Sequence, residues 1–346
     1  MKVLVTGSTG FIGAALCRGL VENGYTVRAF HRSSSLTNLL DGLPVEHAIG
    51  DLTQPATIQE AMQGIDAVFH TGALMGRPTE SGQLYAVTVE GTRAVLTAAK
   101  AAGVRRFIHT SSVAALGVPD QPPGRKAPPV LMDERHTWNF QPARWPYGYA
   151  KYLAEIEVQR AVGNGLDAVI VNPTLVLGAG DQYRRTSSPI VQMARQRFPG
   201  SVEGGLNVIH IRDTIAGHLA ALEHGRTGER YILGGNNLTI PLFMQKLAAA
   251  VNVPSPAVVF PGRLVRAVAG LAVMLANFIT LPVSPEVLHL AGMYMFYSSR
   301  KSQVELGLPV PRQPEEAIAD AYAWFVANGA VASDKKPIKS QKTTPL

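Results

Sequence analysis

The sequence predicts an α/β protein built on a doubly wound parallel sheet, with a smaller, mostly helical lobe beside it. Three observations lead there. Short runs rich in Val, Ile and Phe alternate with longer stretches of helical periodicity through the first half of the chain. The first of these runs passes directly into a glycine-rich turn and then a helix. After Gly180 the alternation loosens, and residues from Ile240 to about Gly307 read as mostly helical.

The elements follow in order. Lys2–Val5 reads as a strand, and Phe11–Glu22 as a helix stopped by Asn23-Gly24, a natural C-terminal stop. Tyr25–Phe30, Val45–Ile49 and Ala67–His70 read as the next three strands. Leu84–Ala102 reads as one long helix ending at Gly103, and Arg106–Thr110 as the fifth strand. Gly117–Trp145 is rich in proline and breaks the rhythm; a loop of that length is either functional or poorly ordered. Helix resumes from Tyr147 to about Val162, with a sixth strand at Asp167–Val171. Further on come a strand at Asn207–Ile211, a helix at Asp213–Glu223, a strand at Arg230–Leu233 and an amphipathic helix at Glu315–Ala327. This divides the chain into a nucleotide-binding domain (1–180 and 207–235), a substrate-binding lobe (181–206 and 236–312), a C-terminal helix (313–330) and a polar tail (331–346).

Composition narrows the class. Only 16% of residues are charged and 46% are hydrophobic, which suits a folded core and excludes a disordered chain. The single cysteine, Cys17, rules out a disulfide framework and falls in an apolar helical pattern, where a core role is expected. The net charge is +7, but the tail alone carries Lys335, Lys336, Lys339 and Lys342 against Asp334. The remaining cations are scattered and not interleaved with aromatics, so nucleic acid is not an expected partner. The opening residues MKVLVTG form a strand and a turn and lack the features of a secretory signal; a cytoplasmic protein is expected. The run Leu264–Leu281 is interrupted by Arg266 and Asn277. We expect a buried helix there and no spanning segment, with an interfacial membrane contact as the lesser alternative.

Two motifs carry chemistry. The first is Thr6-Gly7-Ser8-Thr9-Gly10-Phe11-Ile12-Gly13, set between a strand and a helix. Gly7 and Gly10 let the backbone turn tightly and approach a pyrophosphate, Gly13 lets the helix pack close, and the helix N-terminus faces the phosphate charge. The second strand ends in His31-Arg32-Ser33, with no acid for the ribose hydroxyls of NAD. Arg32 with its serines suits a 2′-phosphate, so NADP(H) is favoured over NAD(H). Asp51-Leu52 is expected beside the adenine, and Thr71-Gly72-Ala73 along the ribose and phosphates. The second motif is Tyr147-Gly148-Tyr149-Ala150-Lys151: one helical turn puts Tyr147 and Lys151 on one face, where the lysine charge, with that of an oxidised nicotinamide, favours a phenolate. Tyr149 has no lysine four residues on. Ser112, in Thr110-Ser111-Ser112 at the end of the fifth strand, sits where parallel sheets place their ligands, and can hydrogen-bond a substrate oxygen. The histidines show no metal spacing, and His210 and His218 read as parts of a strand and a helix. Asp133 and Glu134 read as solvated loop acids, with contact to substrate as the alternative. Arg184-Arg185 and Arg195 with Arg197 read as helix-face charges, with contact to an anionic substrate as the alternative.

These motifs, with GDL at 50–52, VEGT at 89–92, HTSS at 109–112, VNPTLVLGAGD at 171–181 and GERYILGGNN near residue 230, stand in the order of the extended short-chain dehydrogenases/reductases. Within them the chain resembles dihydroflavonol-4-reductase-like and hopanoid-associated sugar epimerase-like proteins. The resemblance implies Ser112, Tyr147 and Lys151 as the catalytic set, with Ser112 preferred over Ser111. It places Thr110 with the cofactor residues and Pro173-Thr174 beside the nicotinamide, and suggests a homodimer. Thr88 departs from the family's asparagine, which touches a hydrogen bond near the site. The expectation is a Rossmann-type domain carrying an NAD(P)H-dependent oxidoreductase of the C=O/CH–OH class, acting on a small molecule without a metal. The alternatives are a nucleotide-sugar epimerase or dehydratase that retains NAD and, from another class, a non-catalytic dinucleotide sensor. NPTLVLG after the sixth strand argues against the first, and an intact Ser–Tyr–Lys set against the second.

Overall fold

A computed structural model describes residues 1–74, 81–120, 129–184, 188–275 and 285–331. Its strands are β1 (Lys2–Thr6), β2 (Thr26–His31), β3 (Val45–Ile49), β4 (Ala67–His70), β5 (Arg106–Thr110), β6 (Ala168–Pro173), β7 (Leu175–Leu177), β8 (Ser201–Val202), β9 (Gly205–His210), β10 (Arg230–Leu233), β11 (Asn236–Thr239) and β12 (Val259–Phe260). Its helices are α1 (Phe11–Glu22), α2 (Pro55–Ala61), α3 (Ser81–Tyr85), α4 (Gly91–Ala101), α5 (Pro146–Gly163), α6 (Pro189–Ala194), α7 (Ile211–His224), α8 (Ile240–Ala250), α9 (Gly262–Leu275), α10 (Pro285–Leu288), α11 (Arg300–Glu305) and α12 (Pro314–Ala327).

Seven strands form one parallel sheet in the order β10-β6-β5-β4-β1-β2-β3. β1 shows why such strands are apolar along their whole length. Val3 and Val5 join the cluster under α1 and α7, whereas Leu4 points to the opposite cluster under α2 and α4. The chain winds outward from β1 through β2 to β3, then crosses back to place β4 on the other side of β1. The strand order therefore reverses between β1 and β4, and a crevice opens at their carboxyl ends. Register puts Thr6 opposite His70, and His70 opposite His109, at that edge.

A second sheet, β11-β9-β7, backs the smaller lobe. Its core draws Ile190, Phe243, Leu247, Ile318 and Phe325 from α6, α8 and α12. The segment 207–235 splits between the two sheets: β9 joins the small one, while β10 joins the large one. β9 also ends a residue earlier than the sequence suggests, because the His210 ring accepts the Arg212 N–H and starts α7 at Ile211.

Three expectations change. The helix read as continuous from Leu84 to Ala102 is divided: α3 and α4 flank a π-helical turn at Ala86–Glu90. The Thr92 hydroxyl donates to the Thr88 carbonyl four residues back, and such back-bonds loosen the helical ladder. Glu134 is not a solvated acid; it is partly buried, and its carboxylate accepts the Ile232 N–H at 2.9 Å, which fixes the long loop to β10. Asp133 pairs with Arg135 on the surface. Finally, α9 is not a buried helix: Leu264 and Val268 are 59% and 56% exposed, and none of its residues up to Gly270 joins the main hydrophobic clusters. A hydropathy run cannot reveal whether a partner surface exists to cover it. Among the described residues no helix is long and apolar enough to cross a membrane; residues 276–281 of the run lie outside them, as do 121–128 of the long loop, Arg185 and most of the tail. Cys17 is a core residue, fully buried, and burial pushes its thiol up to about 12.

Candidate active site

The turn after β1 is shaped by what a side chain would strike. Gly7 has φ +66, and a Cβ there would lie 2.7 Å from Gly72 Cα. A Cβ at Gly13 would lie 2.1 Å from the Gly7 carbonyl oxygen. Only glycine allows the first turn of α1 to seat against the end of β1 and the crevice. Gly10 is the helix N-cap and donates its N–H to Gly7 O at 2.9 Å. No side chain caps α1, so its leading N–H groups, starting at Phe11 and Ile12, are presented to an anion. Thr9 is held from the far side: Gln182 donates to its carbonyl at 3.0 Å.

The end of β4 closes the cradle. Thr71 Oγ1 donates to Thr6 O at 2.7 Å, and Gly72 N–H donates to Thr6 Oγ1. Leu52 abuts Gly72, where a Cβ would meet it at 2.7 Å, and Ala73 continues the wall, half-buried. Asp51 accepts both the backbone and hydroxyl protons of Thr53, which hold its carboxyl below the usual range; the charge of Arg32 adds to this. Arg32 itself is exposed at the end of β2 and donates no side-chain hydrogen bond to a described residue.

Two buried histidines lie behind the cradle. Thr92 spends its proton on Thr88 O, so it must accept from His70 Nε2–H at 2.9 Å. His70 Nδ1 then accepts from the Thr6 hydroxyl at 2.6 Å. His70 is thereby neutral and in one tautomer, and burial drives its pKa to about 3. His109 stacks obliquely on it, ring centroids 5.5 Å apart; it is fully buried and neither ring nitrogen has a hydrogen-bond partner among the described residues. Thr88, in place of the asparagine, accepts from Leu74 N–H at 3.3 Å.

Tyr147, Lys151 and Ser112 come together at the ends of β5 and α5. Ser112 caps the short 3-10 turn Val113–Leu116, with Oγ accepting from Ala114 N–H at 3.1 Å. That leaves its proton free to donate. Its hydroxyl faces the Tyr147 phenol, whereas Ser111 is buried just past β5 and its N–H is bonded to Val171 O. Lys151 is buried and donates to Thr110 O at 2.9 Å. Desolvation lowers it to about 8 against the opposing charge of Glu155. The Thr110 side chain turns away from the crevice to His218, at 2.9 Å. Burial raises Tyr147, while the Ser112 hydrogen bond and the charge of Arg184 pull the other way. Lys151 donates one of its three N–H groups to Thr110 O and sits one helical turn from Tyr147.

Pro173 ends β6, and Thr174 follows with N–H bonded to Leu233 O at 3.1 Å; its buried hydroxyl has no partner among the described residues.

A supporting network escaped the sequence reading. Asn172 Nδ2 donates to Ser112 O at 2.9 Å and to Glu155 Oε1 at 2.6 Å. Glu155 Oε2 accepts from Arg230 at 3.1 Å, and Arg230 also grips the carbonyls of Glu134 and His136. This ties the Ser112 backbone to the long loop. Its one visible signal was Glu155, four residues after Lys151 on the face of Tyr147.

Comparison with known proteins supports the same reading of the fold. Residues 3–234 match the NAD dependent epimerase/dehydratase family. A protein of Synechocystis sp., whose name gives dihydroflavonol 4-reductase as a provisional activity, is 37% identical over 94% of this chain and 95% of its own length. Sterol demethylase protein B of Methylococcus capsulatus is 35% identical over 96% of this chain and all of its own. The crystal structure of gox2253 superposes with a TM-score of 0.81 at 35% identity, covering 95% of this chain and 99% of that one.

Proposed function

Because the chain belongs to the NAD dependent epimerase/dehydratase family, we propose that it is an NAD(P)H-dependent oxidoreductase that reduces a carbonyl of a small organic molecule, or oxidises the corresponding alcohol. The observation that carries this reading is the meeting of Ser112 and Tyr147, one helical turn from Lys151, beside a cradle that only glycine permits. The cradle fits a dinucleotide: its diphosphate would lie on the uncapped N–H groups of α1, and its nicotinamide near Thr174, whose buried hydroxyl lacks a partner among the described residues. Bound there, a nicotinamide nucleotide supplies or accepts the hydride. Tyr147 donates its phenolic proton to the carbonyl oxygen, and Ser112 donates a hydrogen bond to the same oxygen. Lys151 keeps two of its N–H groups beyond the bond to Thr110, enough to hold a ribose hydroxyl and place positive charge behind the phenol. NADP(H) is preferred, since exposed Arg32 is free to meet a 2′-phosphate with Ser33 and Ser34.

The test is to denature the purified protein, identify any released nicotinamide nucleotide by mass, and measure uptake of NADPH and NADH by the washed protein. Reversible uptake of NADPH, at least about tenfold tighter than NADH, supports the assignment. Stoichiometric NAD that survives washing would move the protein to the epimerases and dehydratases, whose hydride returns to its source.

A further inference from the structure

The lobe ends in an apolar surface that the fold does not use. α9 exposes Leu264 and Val268, one turn apart, and beside its N-terminus β12 and the preceding residue expose Val258, Val259 and Phe260 at 51, 45 and 43%. α10, which packs on α9, adds exposed Val287. Scattered apolar residues on a surface need no explanation, but six large ones on three adjoining elements do.

Charge identifies what covers them. No carboxylate occurs between Glu229 and Glu286, a stretch that carries Arg230, Lys246, Arg263 and Arg266. Lys246 is paired with Glu315 and Arg230 with Glu155. Arg263 is exposed next to Leu264, and Arg266, half-buried, donates to Ala291 O. Arg197 is exposed in the loop leading to β8, the partner of β12. Among the described residues two acids border the face: Glu203 accepts the Gly262 N–H at the start of α9, and Glu286 lies in α10 beside Val287. A second copy would offer Arg263 and Arg197 only Glu286 and the already engaged Glu203 from this face. An anionic lipid surface supplies apolar depth for Leu264, Val268 and Phe260 and phosphates at the level of Arg263 and Arg197.

We propose that the face formed by β12, α9 and α10 seats the protein on an anionic membrane surface, with the Leu264–Val268 stripe entering the headgroup boundary. This does not rest on the reductase assignment. An apolar substrate could reach the lobe from such a surface without crossing water.

Flotation of the full chain with vesicles of phosphatidylcholine alone, or with one third phosphatidylglycerol, tests it. The protein should float with the phosphatidylglycerol vesicles and not with phosphatidylcholine alone. Leu264→Ser/Val268→Ser should weaken binding about 100-fold or more, and Arg263→Gln about five-fold, with thermal midpoints and nucleotide binding unchanged. Replacing the tail lysines (K335Q/K336Q/K339Q/K342Q) should leave flotation in place. Failure of the wild type to float, flotation untouched by Leu264→Ser/Val268→Ser, or loss of flotation only in the tail variant would each overturn it. So would sedimentation showing a dimer that Leu264→Ser/Val268→Ser dissolves, because a second copy would then occupy the face.

Discussion

Acid should unfold this protein through its buried histidines. His70 and His218 are fully buried and neutral, and burial lowers them to about 3 and about 4 from an ordinary 6.5. His109 is displaced in the same direction by burial, with Lys151 and His70 adding to it. The unfolded chain therefore takes up protons below pH 6.5 while the native chain refuses them until pH 3 or 4. Stability from these groups is fully present above pH 6.5 and is lost as pH falls toward the folded values. At pH 4.5 each of His70 and His218 costs about 2.5 to 3 kcal/mol relative to pH 7.5, or about 5 kcal/mol together. That is comparable to the whole stability of a protein at the lower end of the usual range, about 5 kcal/mol. Lys151, lowered to about 8, is charged in both states below about pH 7 and adds almost no slope over most of this window. Urea unfolding followed by tryptophan fluorescence between pH 7.5 and 4.5 measures the effect. A midpoint that stays level over that range would refute the reasoning, as would NMR titration of either imidazole near 6.5.

Three substitutions extend the account. Gly13→Ala puts a methyl 2.1 Å from a backbone oxygen that cannot retreat without opening the cradle; nucleotide binding should vanish in a fluorescence titration, and the chain should lose about 1 to 3 kcal/mol. Tyr147→Phe should leave the dissociation constant for NADPH within about two-fold while turnover falls at least about 100-fold, a split that steady-state kinetics reads directly. Glu155→Ala removes the acceptor shared by Asn172 and Arg230 and should destabilise by about 3 kcal/mol in denaturant titration, at the lower end for a buried pair because Arg230 is partly exposed.

What the sequence revealed was what lies close along the chain. Gly7, Gly10 and Gly13 announce a cradle because their spacing is read within two turns of backbone. Tyr147 and Lys151 share a face because four residues make one helical turn. Distant partners leave no such trace: Asn172, Glu155 and Arg230 come from β6, α5 and β10, and only the folded sheet brings them to Ser112. The same holds for His70 and His109, neighbours by strand register alone. The bond from Lys151 to Thr110 O is of the same kind, joining α5 to the end of β5. In α9, hydropathy gave the helix but could not tell a buried face from an exposed one, which depends on whether anything packs over it.

A crystal structure with NADP⁺ and an alcohol or carbonyl ligand bound tests the central claim most directly. The diphosphate should rest on the N–H groups of Phe11 and Ile12, and the nicotinamide ribose on Lys151. The reactive ring carbon should lie within about 3 to 3.5 Å of the ligand carbon whose oxygen Ser112 and Tyr147 hold. A nucleotide bound away from Gly7–Gly13, or a nicotinamide ring turned away from Tyr147 and Ser112, would contradict it.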